Sequence, residues 1–374
     1  MINVERAIAQ FMELVQIDSV SLNERGTADY LIKYFTELGY DVQEDLKSKA
    51  AVKGASAGNI VVKIPGTLDK PTIMLEAHMD TVEPGNGIKP QISADGKYIV
   101  SDGTTILAAD DKAGICQILE IEKVLRENSI PHGPLEFVFA IGEEIGILGA
   151  MNLDVEGLGI EAKIAYVIDG GGGIGEAITG GPDYYRIKGQ ITGKAAHAGG
   201  EPDKGISSIQ VMAEAISNMK LLKIDEDTTT NIGQVICDYP TNVVPEITTF
   251  ALEVRSLVPE KAEKQVEHVK NVIEAAAKKY NAIAEIEIEK ELAAYQWNDE
   301  SPVLKHFKTI CDNHNIPVKT ESVRGGTDVS GLAKNGISAI AIAAGGEFAH
   351  TLQERLDIAS YEKILEQLLW LVTE

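Results

Sequence analysis

The rhythm of apolar positions changes twice along the chain. Through the first 180 residues, stretches with apolar residues three and four apart alternate with short, almost wholly apolar runs. The first kind predicts amphipathic helices over 4–17, 27–39 and 111–127. The second kind, over 72–77, 135–141 and 163–168, predicts strands buried on both faces, as in a mainly parallel sheet covered by helices. From about Gly181 the pattern becomes an alternation. Residues 184–191 read as a half-exposed strand, 206–219 as a helix, 232–237 and 248–257 as strands, 260–280 as a helix and 284–289 as a last alternating strand. That β-α-β-β-α-β order is the split arrangement of ferredoxin-like domains. After about Leu292 the first style returns, with a helix over 302–314, an apolar strand over 337–343 and a helix over 360–373. The chain therefore reads as an α/β domain with a mainly parallel sheet, built from 1–180 and 293–374. An α+β domain of ferredoxin-like order, 181–292, is inserted into it.

Composition narrows the function. Acidic residues number 57 against 34 basic ones, a formal net charge of −23 over 374 residues. Such a surface repels nucleic acid and anionic membranes, which excludes both as partners. No apolar run approaches the ~18 residues of a membrane span. The start, Met1-Ile2-Asn3-Val4-Glu5-Arg6, lacks the basic opening and unbroken apolar stretch of an export signal. Cys116, Cys237 and Cys311 lie far apart with no Cys-x-x-Cys, so they read as reduced and buried. These features together point to the cytoplasm.

The candidate chemistry lies where the apolar runs stop. Residues 72–77 run into His78-Met79-Asp80, 106–109 into Asp110-Asp111, 137–142 into Glu143-Glu144, 165–168 into Asp169, and 339–343 through a glycine-rich turn to His350. In an open α/β sheet the functional crevice lies beyond the carboxyl ends of the strands. Five strand ends thus deliver two imidazoles and several carboxylates to one edge. Clustered carboxylates repel one another, and a cation resolves the conflict. Imidazole with carboxylate suits Zn2+, with Co2+ or Mn2+ as substitutes. The ligands suffice for two ions: His78 and Asp169 for one, Glu144 and His350 for the other, and Asp110 bridging. Asp80, two residues beyond His78, can orient its imidazole. Glu143 precedes a ligand and can approach a metal-bound water without ligating, so it is the candidate general base. Two such metals sharing a water and polarising a carbonyl do hydrolytic chemistry.

Taken singly, these features also have ordinary readings. His-x-Asp can be surface decoration, Glu143-Glu144 a solvated turn, and Asp110-Asp111 a helix cap, which is the role expected of Asp111. The run Gly170–Gly175 formally satisfies G-x-G-x-x-G, yet residues 176–182 do not read as a helix, so the phosphate-binding context is missing. Neither G-x-S-x-G nor H-E-x-x-H occurs. His132, His268, His306 and His314 read as surface histidines.

The segments His78-Met79-Asp80-Thr81, Ala109-Asp110-Asp111-Lys112-Ala113-Gly114, Glu143-Glu144-Ile145-Gly146, Ile168-Asp169-Gly170-Gly171 and His350 occur in one order and spacing. In these the chain resembles the co-catalytic zinc peptidases, a family that includes peptidase T, aminoacylases, glutamate carboxypeptidases and succinyl-diaminopimelate desuccinylase. The resemblance covers nearly the whole chain. It implies that the inserted domain is the family's lid, often a dimerisation surface, and that Asp110 is the bridging ligand. It also implies that His197, in Gly193-Lys194-Ala195-Ala196-His197-Ala198-Gly199, stabilises the tetrahedral intermediate. Arg324, in Arg324-Gly325-Gly326-Thr327-Asp328, would then hold a substrate carboxylate, with Asn242 and Arg255 as further substrate contacts. The Asp-Asp-Lys-Ala-Gly and Arg-Gly-Gly-Thr-Asp segments tilt the resemblance towards peptidase T, an aminotripeptidase. The expectation is a cytoplasmic di-zinc peptidase of short peptides. An N-acyl-amino-acid amidohydrolase or carboxypeptidase would use the same site. A noncatalytic peptide-binding protein would have lost the base or a ligand, and neither is missing.

Overall fold

Strands that are apolar on both faces have to be covered on both faces. The computed structural model, which describes residues 2–374, satisfies this in the larger of two units. That unit comprises the residues up to Thr179 with Gln296–Ser322 and Gly326–Glu374. Its central sheet runs in the order Asp41–Glu44, Ile60–Ile64, Leu135–Ala140, Ile73–His78, Ile164–Gly170, Ser338–Ala343 and the strand beginning at Glu176. The inner strands, from Leu135–Ala140 to Ser338–Ala343, are parallel. The flanking ones are antiparallel. Every residue of Leu135–Ala140 and Ser338–Ala343 is buried, which explains their near-continuous apolar runs.

Three helices of this unit, Val4–Leu14, Leu46–Ala51 and Ile358–Thr373, start where short polar side chains take orphan N–H groups. Asn3 accepts from Arg6 N, Asp45 from Lys47 N and Ser48 N, and Asp357 from Ser360 N. The helix Arg25–Glu37 lays Phe35, fully buried, among the rings of Tyr34, Tyr40, Phe137 and Phe139, with centroids 4.9 to 6.2 Å away. A small sheet joins Gly346–Glu347, Arg355–Asp357, Tyr98–Val100 and Gln91–Ile92 in that order. It places the loop carrying His350 beside the segment that leads into Asp110.

Some expectations are corrected. Residues 106–108 form a buried loop, not a strand: Ala108 has φ +61°, and the Leu107 and Ala108 N–H groups go to the carboxylate of Glu354. The edge strand Asp41–Glu44 escaped the apolar pattern because its exposed side is polar. His132 is buried and its Nδ1 contacts the Gly133 carbonyl at 2.7 Å. His306 meets the Tyr166 hydroxyl at 2.6 Å, and burial, with Lys70, holds its pKa below the ordinary value. Cys116 and Cys311 are buried, whereas Cys237 is partly exposed.

The other unit comprises Gly180–Tyr295 with Val323–Gly325. Its antiparallel sheet has the order Leu222–Lys223, Thr228–Ile236, Ile247–Ser256, Asp183–Thr192, Ile283–Leu292. Leaving out the short first strand, this is the ferredoxin-like order. The helices Ser208–Asn218 and Pro259–Tyr280 pack with the sheet around Ile187, Phe250, Val254, Val211, Val269 and Ile273. Alternate residues of Ile247–Ser256 are buried, as expected of a sheet covered on one face. Among the described residues, no helix is long and apolar enough to cross a membrane.

Phe35→Ala should destabilise the larger unit by about 3–5 kcal/mol, because the rings around it cannot close the cavity. Denaturant unfolding followed by tryptophan fluorescence would measure this.

Candidate metal centre

Each sequence-predicted ligand stands at a structural stop. His78 ends the strand Ile73–His78, Asp169 is the next-to-last residue of Ile164–Gly170, and Glu143 and Glu144 occupy the turn after Leu135–Ala140. Asp110 lies in the first turn of Ala109–Asn128, and His350 lies in the loop between Gly346–Glu347 and Arg355–Asp357. All belong to the larger unit.

Asp110 stands between the two histidines. Its Oδ1 is 2.9 Å from His78 Nε2 and its Oδ2 is 3.2 Å from His350 Nε2. His78 Nε2 is also 3.8 Å from Asp169 Oδ1, and His350 Nε2 is 2.9 Å from Glu144 Oε1. Donor atoms converge within 4.8 Å in three groups: His78–Asp110–Asp169, Asp110–Glu144–His350, and His78–Glu143–Glu144. The first two share one carboxylate with an oxygen for each.

The electrostatics show what this crowding requires. Burial works against a charge on His78, but Asp110, Asp169 and Asp80 outweigh it and hold its pKa well above the ordinary value. Asp110 and Glu144 raise His350 to about 10. Burial, with Asp110, pushes Asp169 up to about 6, and burial drives Glu143 well above the usual carboxyl range. The acids therefore draw positive charge onto both imidazoles. Two carboxylates ~4 Å apart repel by roughly 4 kcal/mol at an effective dielectric of 20, and a cation between them would relieve that repulsion. Imidazole nitrogens and carboxylate oxygens in shared groups fit a pair of divalent ions such as zinc.

Carboxylates behind this rim hold the turns through the backbone. Asp80 is fully buried and takes Glu143 N at 2.9 Å, Glu144 N at 3.2 Å and the Ser21 hydroxyl at 2.7 Å. His78 Nδ1 meets the Asp80 main-chain carbonyl at 2.9 Å, while the Asp80 carboxylate is 3.6 Å away. Asp80 thus orients the imidazole with its backbone and the Glu143-Glu144 turn with its side chain. Asp111 does more than cap a helix: fully buried, it accepts from Gly114 N and also from His78 N, both at 3.2 Å. Glu24, also fully buried, accepts from Leu22 N and Gly142 N. Glu76, fully buried two residues before His78 and facing Asp328, is pushed up to about 8 by burial. Sequence reasoning missed Glu24 and Glu76. The one available signal was Glu76 itself, an acid inside an otherwise apolar strand.

The remaining candidates belong to the smaller unit. His197 is exposed, and its Nδ1 accepts from Gly199 N and Gly200 N at 3.2 and 3.0 Å. That assignment leaves Nε2 as the N–H donor. Asn242 is exposed on the facing segment, where its carbonyl accepts from Ala198 N. The Arg255 guanidinium is largely engaged: both Nε and Nη2 reach Glu253 at 3.1 Å, Nη1 donates to the Arg324 carbonyl, and the group lies 4.2 Å over the Tyr184 ring. Arg324 is exposed and donates from Nη1 to the Glu226 carbonyl at 2.7 Å. Gly170–Gly175 runs into the strand Glu176–Gly181, so no helix terminus is present there for a phosphate.

Residues 59–169 match the family model described as peptidase family M28, and residues 181–281 match the peptidase dimerisation domain of the M20 family. The chain is 30% identical to peptidase T of Clostridium perfringens, over 96% of each chain. It is similar to the crystal structure of aminopeptidase PepT from Bacillus cereus, at 39% identity and TM-score 0.90, covering 100% of this chain and 98% of that one. A tripeptidase structure from Staphylococcus aureus is 38% identical with TM-score 0.93 and the same coverage.

The Glu143-Glu144 turn depends on close approach at Gly149, where a Cβ would stand 2.5 Å from the Ile141 carbonyl oxygen and 2.4 Å from Asn59 Oδ1. Asn59 is itself fixed by hydrogen bonds to Gly149 O, Ile141 N and Asp45. Gly149→Ala should therefore destabilise the protein by about 1–3 kcal/mol, read as a lower denaturant midpoint.

Proposed function

Because the chain belongs to the M20 family of metallopeptidases, close to peptidase T, we propose that it is a cytoplasmic di-zinc aminopeptidase of short peptides, an aminotripeptidase. The observation that carries this reading is the Asp110 carboxylate, with one oxygen 2.9 Å from His78 and the other 3.2 Å from His350. His78 and Asp169 would hold one cation, Glu144 and His350 the other, and Asp110 both. When bound, such a pair polarises the scissile carbonyl and makes a water acidic enough to attack near neutral pH.

The protein supplies the rest. Glu143 shares a donor group with His78 and Glu144, within reach of a water there. It would take the proton of the attacking water and pass it to the departing amine. Asp80, by holding the N–H groups of Glu143 and Glu144, keeps that carboxyl on station. His197, with Nδ1 occupied, would offer Nε2–H to the oxyanion. Arg324 would hold the substrate carboxylate, and Asn242 would be a further polar contact for the substrate. Arg255, held by Glu253 and donating to the Arg324 carbonyl, would steady Arg324. The dimerisation-domain match over 181–281 supports a homodimer formed through this domain.

Glu143→Ala should keep its metal yet lose about 10²–10⁴-fold in kcat. Unchanged turnover would remove Glu143 from the mechanism. Exhaustive chelation should abolish peptide hydrolysis, and Zn2+, Co2+ or Mn2+ should restore it. Tripeptides with a free amino terminus should be cleaved in preference to N-blocked peptides and N-acyl amino acids. The opposite preference would make the enzyme an amidohydrolase or carboxypeptidase.

A further inference from the structure

Glu354 is buried to 2% exposure, and no step of the proposed hydrolysis uses it. Its carboxylate accepts three main-chain N–H groups from one short segment. Oε2 takes Leu107 N at 2.7 Å and Ala108 N at 2.9 Å, and Oε1 takes Asp110 N at 3.0 Å. Converging N–H groups of this kind form a concave anion site, and here the anion is a side chain of the same protein. The segment needs it. Ala108 has φ +61°, a left-handed conformation disfavoured for a residue with a Cβ, and no strand ladder takes these N–H groups.

The position of Glu354 matters as much as its contacts. It lies four residues beyond His350, at the end of a turn in which Glu354 N donates to Thr351 O and Gln353 N donates to Thr351 Oγ1. Arg355 then enters the strand paired with Tyr98–Val100. One carboxylate therefore joins the segment that carries Asp110 to the segment that carries His350. These two residues, with Glu144, form one of the donor groups.

We propose that Glu354 is a positioning residue for the cation held by Asp110, Glu144 and His350: by fixing the Asp110 main chain against the His350 turn, it sets the separation between Asp110 and His350 within that donor group. This rests on the two-cation reading of the site. The His78–Asp169 side depends on it less, because those residues are fixed by adjacent parallel strands.

The test is calorimetric titration of Zn2+ into the metal-free parent, Glu354→Gln, Glu354→Asp and Glu354→Ala. Glutamine keeps the size but offers one acceptor oxygen, so at least one of the three N–H groups must face an amide NH2. Glu354→Gln should bind one cation like the parent and the other about 10–100-fold more weakly, the usual cost of losing a partner behind a ligand. Its kcat should fall at saturating substrate but low metal and recover as Zn2+ is raised, with KM little changed. Exchange of the Leu107, Ala108 and Asp110 amides should quicken in the folded metal-free protein. Alanine should act in the same direction and more strongly; if it does not fold, glutamine and aspartate decide.

Variants that bind both cations as tightly as the parent would overturn the proposal. So would equal weakening of both cations in step with lost thermal stability, which a merely structural role predicts. A parent that binds only one cation would instead overturn the two-cation reading.

Discussion

A carboxylate withdrawn from water must be met by N–H groups, a proton or a cation, and the turns around the candidate metal centre take their shape from how each acid is met. Asp80, Glu24 and Glu354 are answered by main-chain N–H groups. Glu76 and Asp328, which face each other, are both pushed upward by burial, Glu76 to about 8, so a proton held by this pair is favoured. Among the described residues, Asp110, Glu144 and Asp169 have the imidazoles before them. The acids answered by the backbone fix the turns, and the turns aim the acids that are left. Removing a member of the first set therefore changes the chemistry of the second without touching it.

The acidic surplus divides along the same line. On the edge strand Ile283–Leu292, glutamates alternate with apolar residues and face basic partners across the register, as in Arg186–Glu291 at 2.9 Å and Lys188–Glu287 at 3.5 Å. Exposed pairs of this kind contribute about 0–1 kcal/mol each. The acids with chemical consequence are fewer, and nearly all sit behind or beyond a strand end.

The parallel sheet was legible because its strands are buried on both faces and so cannot alternate. The ferredoxin-like domain was legible for the opposite reason. The convergence of these side chains was legible because polar residues that stop apolar runs share one end of the sheet. What escaped were contacts in which a side chain answers a distant backbone. Leu107 and Ala108 looked like strand residues because sequence cannot show that their N–H groups belong to Glu354, about 250 positions away. That Asp80 stands beside His78 was readable from their spacing, but not that its carbonyl would be the atom meeting His78 Nδ1 at 2.9 Å, a choice set by the local turn. His132 and His306 were read as surface residues because their burial comes from segments far off in sequence.

The interrupted path of the chain also orders its assembly during synthesis. Strand Ile164–Gly170 pairs on one side with Ile73–His78, which is already made when it emerges, and on the other with Ser338–Ala343. About 170 residues separate these neighbours, so a ribosome adding ~5–20 residues per second leaves that edge without its partner for roughly 10–35 s. During that interval nearly the whole smaller unit is translated, with its core residues and main strand partners drawn from a continuous stretch of chain. The interposed domain can thus reach its fold first, while the half-built sheet still lacks the strand that leads to His350.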